Sequence, residues 1–302
     1  MNTAQPDMGG SPTRPARAIT PERIGDVESV PVPRLKPVGH LTTLRRTGRS
    51  ELVKFCTLRS NVWLFTVAIG FLLVLGPVQV LGSVLAESEA TITDSAGAVS
   101  TALTGGTSST LLLGVLGVLL VASEYAPRAI RSTFMAVPRR GVVVVAKAVA
   151  LSLLVIAAGA VAVVTAVTVS IALLGRGDLE LSWASPHVLR VSVAMLWYLV
   201  GWGVLGLAAG WVTRSKLGGA ALLMTVMLIL APVLGLIPGR VGEVVVALMP
   251  SSAGAAMVST HPATADIAGV GVNVPLFGFV VWTVYLVVAT VAAAVVVSRR
   301  DA

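Results

Sequence analysis

The sequence predicts an all-α integral membrane protein with six transmembrane helices and an interfacial helix ahead of the first. Three observations carry this. Only 12% of the 302 residues are charged and 55% are apolar, whereas a soluble domain carries about a quarter charged residues. Six long apolar runs follow one another along the chain. The Lys and Arg residues cluster in alternate connections between those runs. The formal charge of +8 does not indicate nucleic acid, because the basic residues lie between apolar runs rather than along one face. A single cysteine, Cys56, excludes a disulfide scaffold and a Cys-rich metal site.

The first segment is of different material. Seven of the sixteen prolines fall within residues 1–40, apolar residues are sparse, and charges of both signs are mixed. Such a segment cannot bury enough surface to offset its ordering entropy. Residues 1–47 are therefore read as a disordered Pro/Arg-rich cytoplasmic tail, and 48–302 as the membrane domain. No apolar stretch of the signal-peptide kind follows a basic start.

Residues 49–60 precede the first span. Leu52, Phe55 and Cys56 share one helical face by i, i+3, i+4 spacing, and Glu51 can pair with Lys54 at i, i+3 on another. This stretch, which includes Arg59, reads as a short amphipathic helix at the cytoplasmic membrane interface.

The spans are placed near 62–85, 101–123, 148–174, 191–213, 217–237 and 274–298. About 20 residues at ~1.5 Å each cross ~30 Å of hydrocarbon. The second run is the weakest, since Thr104–Thr110 is rich in small polar residues, and a short re-entrant piece is the alternative there. Pro77 and Pro232 should kink spans one and five. Gly203, Gly206 and Gly210 in span four, with Gly114 and Gly117 in span two, mark close helix approach. Whether the partner helix belongs to this chain or to a second copy stays open. Trp63, Trp183, Trp211 and Trp282 fall toward span ends, where interfacial anchors sit.

Orientation follows from charge. With the amino terminus inside, 19 of the 22 Lys and Arg residues are cytoplasmic, and only Arg176, Arg190 and Arg240 lie outside. That satisfies the positive-inside rule at every loop. The loop 86–100 carries Glu87, Glu89 and Asp94 without a Lys or Arg, which suits the outside. The outer segment 238–273 is too long for a plain turn. It is expected to form short helices that dip into the outer face or cap the outer opening.

The largest inner loop is 124–147. Its five basic residues, Arg128, Arg131, Arg139, Arg140 and Lys147, would each cost roughly 2.5–3.5 kcal/mol at mid-membrane, so it is not a span. Within it, Ile130, Phe134 and Val137 form an apolar stripe on a two-turn helix that Pro138 ends. Its form is that of a docking element; the alternative is a plain positive anchor.

Catalytic patterns are weak. Gly141 to Ala148 fails the phosphate-loop pattern, because Ala146 and Ala148 replace the Gly and the Ser/Thr. His40, His187 and His261 lie in separate segments, against a metal site. The spans hold hydroxyls such as Thr165, Thr168 and Ser192 but no ionisable side chain at depth, which disfavours proton-coupled secondary transport. Any transport energy then arrives through a cytoplasmic partner.

The segment from Ser123-Glu124-Tyr125 through Ile130-Arg131 to Pro138-Arg139-Arg140 and Lys147 resembles the loop between the second and third spans of ABC-2 type ABC transporter permeases. Ser50-Glu51, Lys54 and Leu58-Arg59-Ser60 resemble the family's pre-span helix. Pro250 to Gly254 and the closing Arg299-Arg300-Asp301-Ala302 resemble actinobacterial-like members. The chain departs from the pattern at Pro127-Arg128, where the family carries a Gly, and this leaves the start of the loop helix open. The resemblance covers about 50–302.

The resemblance implies the ABC-2 permease fold, a homodimer of this chain in the cell membrane, and a separate ATP-binding cassette subunit that holds the ATP and magnesium. It implies no cofactor or catalytic residue in this chain. It places Glu124, Arg128, Ile130, Arg131, Phe134, Pro138, Arg139, Arg140 and Lys147 at the coupling surface. The expected activity is export of an apolar or amphipathic substrate such as a drug, lipid or secondary metabolite. The alternatives are a non-transporting membrane scaffold or immunity-type protein, and a secondary transporter.

Overall fold

In the computed structural model the described residues are 40–86, 95–125, 140–174, 183–260, 264–267 and 270–300. Residues 1–39 of the expected tail, loop positions 87–94 and the expected docking helix at 129–137 lie outside them; residues 40–47, read from the sequence as part of the disordered tail, are instead the first turns of a helix that continues to Thr57.

The chain opens with α1 (His40–Thr57) and turns at Leu58 into α2 (Arg59–Leu85). α3 (Ser95–Ala102) and α4 (Gly105–Tyr125) follow, then α5 (Arg140–Leu174) and α6 (Pro186–Thr213). α7 (Lys216–Met224) passes through a π turn (Thr225–Ile229) into α8 (Leu230–Leu234). Two short helices, α9 (Arg240–Ala247) and α10 (Pro250–Val258), come next. An antiparallel hairpin, β1 (Thr264–Ile267) and β2 (Val270–Asn273), pairs Thr264 with Asn273 and Ile267 with Val270, and α11 (Val274–Arg300) closes the chain.

Among the described residues, six helices or helix combinations are long and apolar enough to cross a membrane: Arg59–Leu85, Gly97–Tyr125, Gly141–Leu174, His187–Thr213, Lys216–Leu234 and Val274–Arg299. The chain is thus a multi-pass membrane protein in form. All six expected spans are present, with shifted limits. The third begins earlier than expected, because Gly141–Ala146 contains no breaker and the helix is continuous from Arg140. Lys147 is therefore a helix residue rather than the last residue of a loop. Some 27 residues, ~40 Å at the helical rise, still follow it before Leu174, so it lies near one end of its span. The second span is broken at Leu103-Thr104, where α3 gives way to α4.

Buried positions fill 61% of the second span and 67% of the fourth, against 11–33% in the others. α4 and α6 are thus the central pair, and the other spans turn much of their surface outward. Glycine sets their approach. A Cβ on Gly206 would collide with the Gly114 carbonyl, and one on Gly117 would collide with the Gly203 carbonyl. A Cβ on Gly210 would sit 3.0 Å from the Val118 carbonyl oxygen. The predicted glycines are used here within one chain. Without a hydrophobic drive between helices in lipid, such close backbone contact is what holds spans together. Ser109 adds a buried hydroxyl 2.6 Å from the Ala68 carbonyl oxygen of α2.

α2 runs unbroken through Pro77. At Pro232 the outcome differs. A proline clashes with the carbonyl four residues back, and the π turn ends three residues before Pro232, re-spacing the backbone where that clash would fall.

Two tryptophans are not the interfacial anchors that their positions suggest. Trp211 and Trp282 are 1% and 0% exposed. Trp282 packs with Tyr198 and Trp202 at centroid separations of 5.2 and 5.4 Å, and Trp211 meets Tyr125 edge-on at 6.0 Å. Gly201 leaves the room that the Trp282 ring occupies. Trp63 and Trp183 are exposed, as expected of anchors.

The segment 238–273 does form short helices. α9 and α10 meet at 72°. Pro250, Ala253, Gly254 and Met257 of α10 are buried. Arg190, in the first turns of α6, donates to the Ser259 carbonyl at 2.7 Å and to the Met257 carbonyl at 3.4 Å, satisfying the carbonyl end of α10.

Candidate functional site

α1 carries the spacing on which the site is built. Its buried positions Thr47, Glu51 and Phe55 recur every four residues, one face of a helix. This corrects the face read from sequence. Phe55 is buried and meets Phe65 of α2 edge-on at 5.6 Å, but Cys56 is exposed and Glu51 turns inward. Arg59 is exposed at the start of α2. The reason lies in α5: Lys147 projects a cation where α1 docks, and an acid on the buried face satisfies it.

Four charged side chains converge there from three helices. Lys147 Nζ donates to Glu51 Oε2 and to Glu124 Oε1 at 3.0 Å. Lys54 Nζ donates to Glu51 Oε1 at 2.8 Å and to Glu124 Oε1 at 3.3 Å. The i, i+3 pair expected in α1 is therefore half of a larger network. Lys147 also lies 3.4 Å from the Leu120 carbonyl oxygen. Two acids and two bases make the group neutral. Neutrality matters because the side chains of Glu51 and Lys147 are each only 4% exposed and that of Glu124 is 13%, and unpaired buried charge is costly. Lys54, at 43%, is the wet member.

Burial alone would raise the Glu51 carboxyl. The Lys147 ammonium and the hydrogen bonds from both lysines outweigh it and hold the carboxyl below its usual value. For Lys54, burial works downward, but the Glu51 hydrogen bond and the Glu124 charge prevail and hold the ammonium above its usual value. A small cavity of about 20 Å³ beside Glu51, Phe55, Leu120 and Lys147 has room for one water molecule.

The arrangement is a clamp between helices. It ties α1 to the last turn of α4 and the early turns of α5, the two helix ends between which residues 126–139 lie. Glu124 Oε2 is buried without a partner among the described residues. One residue on, the Tyr125 ring lies under the Arg214 guanidinium at 5.3 Å. Arg214 has φ +53° and closes α6 in the left-handed conformation.

Of the residues expected at a coupling surface, Glu124 and Lys147 are brought together. Arg140 starts α5, and Arg128, Ile130, Arg131, Phe134, Pro138 and Arg139 lie outside the described residues. Sequence reasoning missed the meeting of Glu51 with Lys147, and the roles of Tyr125, Arg190 and Arg214. Their signal was faint: isolated polar residues at the ends of apolar runs. Among the described residues there is no group of His, Cys, Asp and Glu able to hold a metal ion. The chain matches no protein-family model, and no curated protein matches it in sequence.

Proposed function

We propose that this chain is the permease subunit of an ATP-binding cassette exporter of the ABC-2 type, working as a homodimer in the cell membrane with both termini cytoplasmic. The observation that carries the reading is the ionic clamp of Glu51, Lys54, Glu124 and Lys147. It fastens the interfacial helix to the two spans that flank residues 126–139. A displacement applied to that basic loop by a docked ATPase would pass to the ends of α4 and α5, and through Glu51 to α1. α4 is half of the central glycine-packed pair, so the motion would reach the middle of the bundle.

On this reading the chain binds no nucleotide. ATP and magnesium sit on the partner subunit, and closure of that partner biases the permease between two access states. The apolar, hydroxyl-bearing spans suit an apolar or amphipathic cargo. The test is co-expression with a candidate ATP-binding cassette ATPase subunit, followed by co-purification and transport into vesicles. ATP-dependent export is the expected result. Transport that persists without ATP and collapses with the proton gradient would overturn the reading, as would isolation of a stable chain that binds no such ATPase.

A further inference from the structure

α6 ends on a conformation that ordinarily belongs to glycine. Arg214 closes it at φ +53° and donates its N–H to the Gly210 carbonyl. Among the described residues it is the only non-glycine with a positive φ. That region crowds an L side chain against its own backbone, and helix ends that use it carry Gly or, less often, Asn. A side chain kept there against the preference of the backbone points to a use for the side chain. The use is visible. The guanidinium lies over the Tyr125 ring, 5.3 Å from its centroid, in cation–π range, and its Nε and Nη2 atoms are buried. Trp211 meets the same ring edge-on at 6.0 Å. A cation serving only the dipole of α6 has no reason to leave water for a neighbouring helix.

We propose that Arg214 is a positioning residue, which latches the end of α4 to the turn between α6 and α7 and so opens a second route, besides the ionic clamp, for a displacement that the ATPase delivers to α4. Tyr125 is the last residue of α4. The turn behind Arg214 is firm, since the Ser215 hydroxyl accepts the Gly218 N–H at 3.2 Å and caps α7. α7 in turn lies against α4: a Cβ on Gly219 would collide with Val118, and one on Gly114 with Leu223. Val118 stands about two helical turns before Tyr125, and Arg214 carries the tie from there to the helix end. Glu124 passes motion to α1 and α5; Tyr125, one residue on, passes it to α6 and α7. Successive helix residues point ~100° apart, so one helix end can serve both routes. The transmission role rests on the permease reading; the contact itself does not.

The full chain is purified in complex with a candidate ATP-binding cassette ATPase subunit. A polarity-sensitive dye is attached at one of two exposed positions: the native Cys56 on α1, or Leu217→Cys on α7 in a Cys56→Ala background, Leu217 being 84% exposed. ATP should change the signal at both. Arg214→Gly removes the guanidinium and relieves the left-handed backbone at once. It should leave apparent Tm unchanged or raised and leave the ATP response at Cys56 intact. The response at position 217 should fall about fivefold, the equivalent of ~1 kcal/mol for a cation–π contact. Tyr125→Leu should give the same split, whereas Tyr125→Phe, which keeps the ring face, should keep both responses. An undiminished response at position 217 in Arg214→Gly, a loss at both positions, or a fall in Tm that marks Arg214 as a residue of the fold would overturn the proposal. So would Tyr125→Phe as impaired as Tyr125→Leu. A wild-type response at Cys56 with none at position 217 sinks the second route alone. No wild-type response at either position sinks the permease reading, and the transmission role with it.

Discussion

The ammonium of Lys147 meets the carboxylate of Glu51 across 96 positions of sequence, each side chain being only 4% exposed. One group comes from α1 and the other from a helix apolar and long enough to span a membrane. Their meeting fixes where α1 lies against the bundle.

Breaking that pair from one side should be severe. Lys147→Met leaves Glu51 and Glu124 buried with only the half-exposed Lys54 to serve both, and removal of one partner from a buried pair costs about 3–5 kcal/mol. Apparent Tm in detergent should fall clearly for Lys147→Met. The double variant Glu51→Leu/Lys147→Met should recover much of the loss, because no uncompensated acid then remains at α1. A double variant no better than the single would show that the pair does not act as a unit.

The same network sets a pH window. The Glu51 carboxyl is held below its ordinary value, so its contribution is present above the unfolded value of about 4.3 and is lost as pH falls through the lower folded value. The Lys54 ammonium is held above its ordinary value. Its contribution is complete below about 10.4 and is lost as pH rises through the higher folded value. Cys56, the sole cysteine and exposed on α1, can carry a polarity-sensitive dye that reports docking. The signal should stay flat between roughly pH 5 and 10 and change at the acid end. Glu51→Gln should remove the acid limb.

The central helix pair predicts a contrast between glycines. Gly206→Ala drives a methyl into the Gly114 carbonyl and should destabilise by about 1–3 kcal/mol, as overpacking does. Gly70→Ala in α2 meets nothing within 4 Å and should be neutral or stabilising by up to about 1 kcal/mol. Thermal unfolding of the two variants in the same detergent checks both.

Arg190 should hold α10 in place. Arg190→Met removes the donor to the Met257 and Ser259 carbonyls, with an expected cost of about 1.5–3 kcal/mol for hydrogen bonds from a charged group. Hydrogen exchange should rise in α10 and stay unchanged in α1, which packs against α2 and α5.

These predictions rest on features that the sequence reveals unevenly. The six spans are legible because twenty apolar residues in a row have few other uses, and the glycines of α4 and α6 are legible because small residues at helical spacing are what close packing needs. The Glu51–Lys54 pair is legible because both residues lie on one helix three positions apart. Its other half is not, because nothing in the periodicity of α1 says which cation on which span will face it. Glu51 therefore reads as a solvent-facing acid until Lys147 is placed opposite. Trp211 and Trp282 mislead for a related reason: a tryptophan near a span end suits either the lipid headgroups or an interhelical aromatic cluster, and the choice depends on Tyr125, Tyr198 and Trp202 in other turns of the fold. The π turn is invisible in Thr225–Ile229 alone and is foreshadowed only by Pro232 downstream.

Glu124 is where the clamp and the proposed function meet. Its Oε1 receives both lysines, Lys147 at 3.0 Å and Lys54 at 3.3 Å, while Oε2 is buried without a described partner. It stands at the end of α4, at the head of the segment that the permease reading assigns to ATPase docking. Glu124→Gln keeps the shape and one acceptor oxygen but removes the charge that draws the two lysines together. Stability should fall less than in Lys147→Met, since Gln introduces no lone buried charge and Lys147 keeps Glu51. If force from the ATPase crosses this residue, the reconstituted complex should keep assembly and ATP hydrolysis but lose about tenfold in transport per ATP, equivalent to ~1.4 kcal/mol of coupling. Arg131→Ala, in the loop itself, should give the same uncoupled pattern. Transport per ATP unchanged in both variants would remove the clamp from the transmission path and leave it as an anchor for α1 alone.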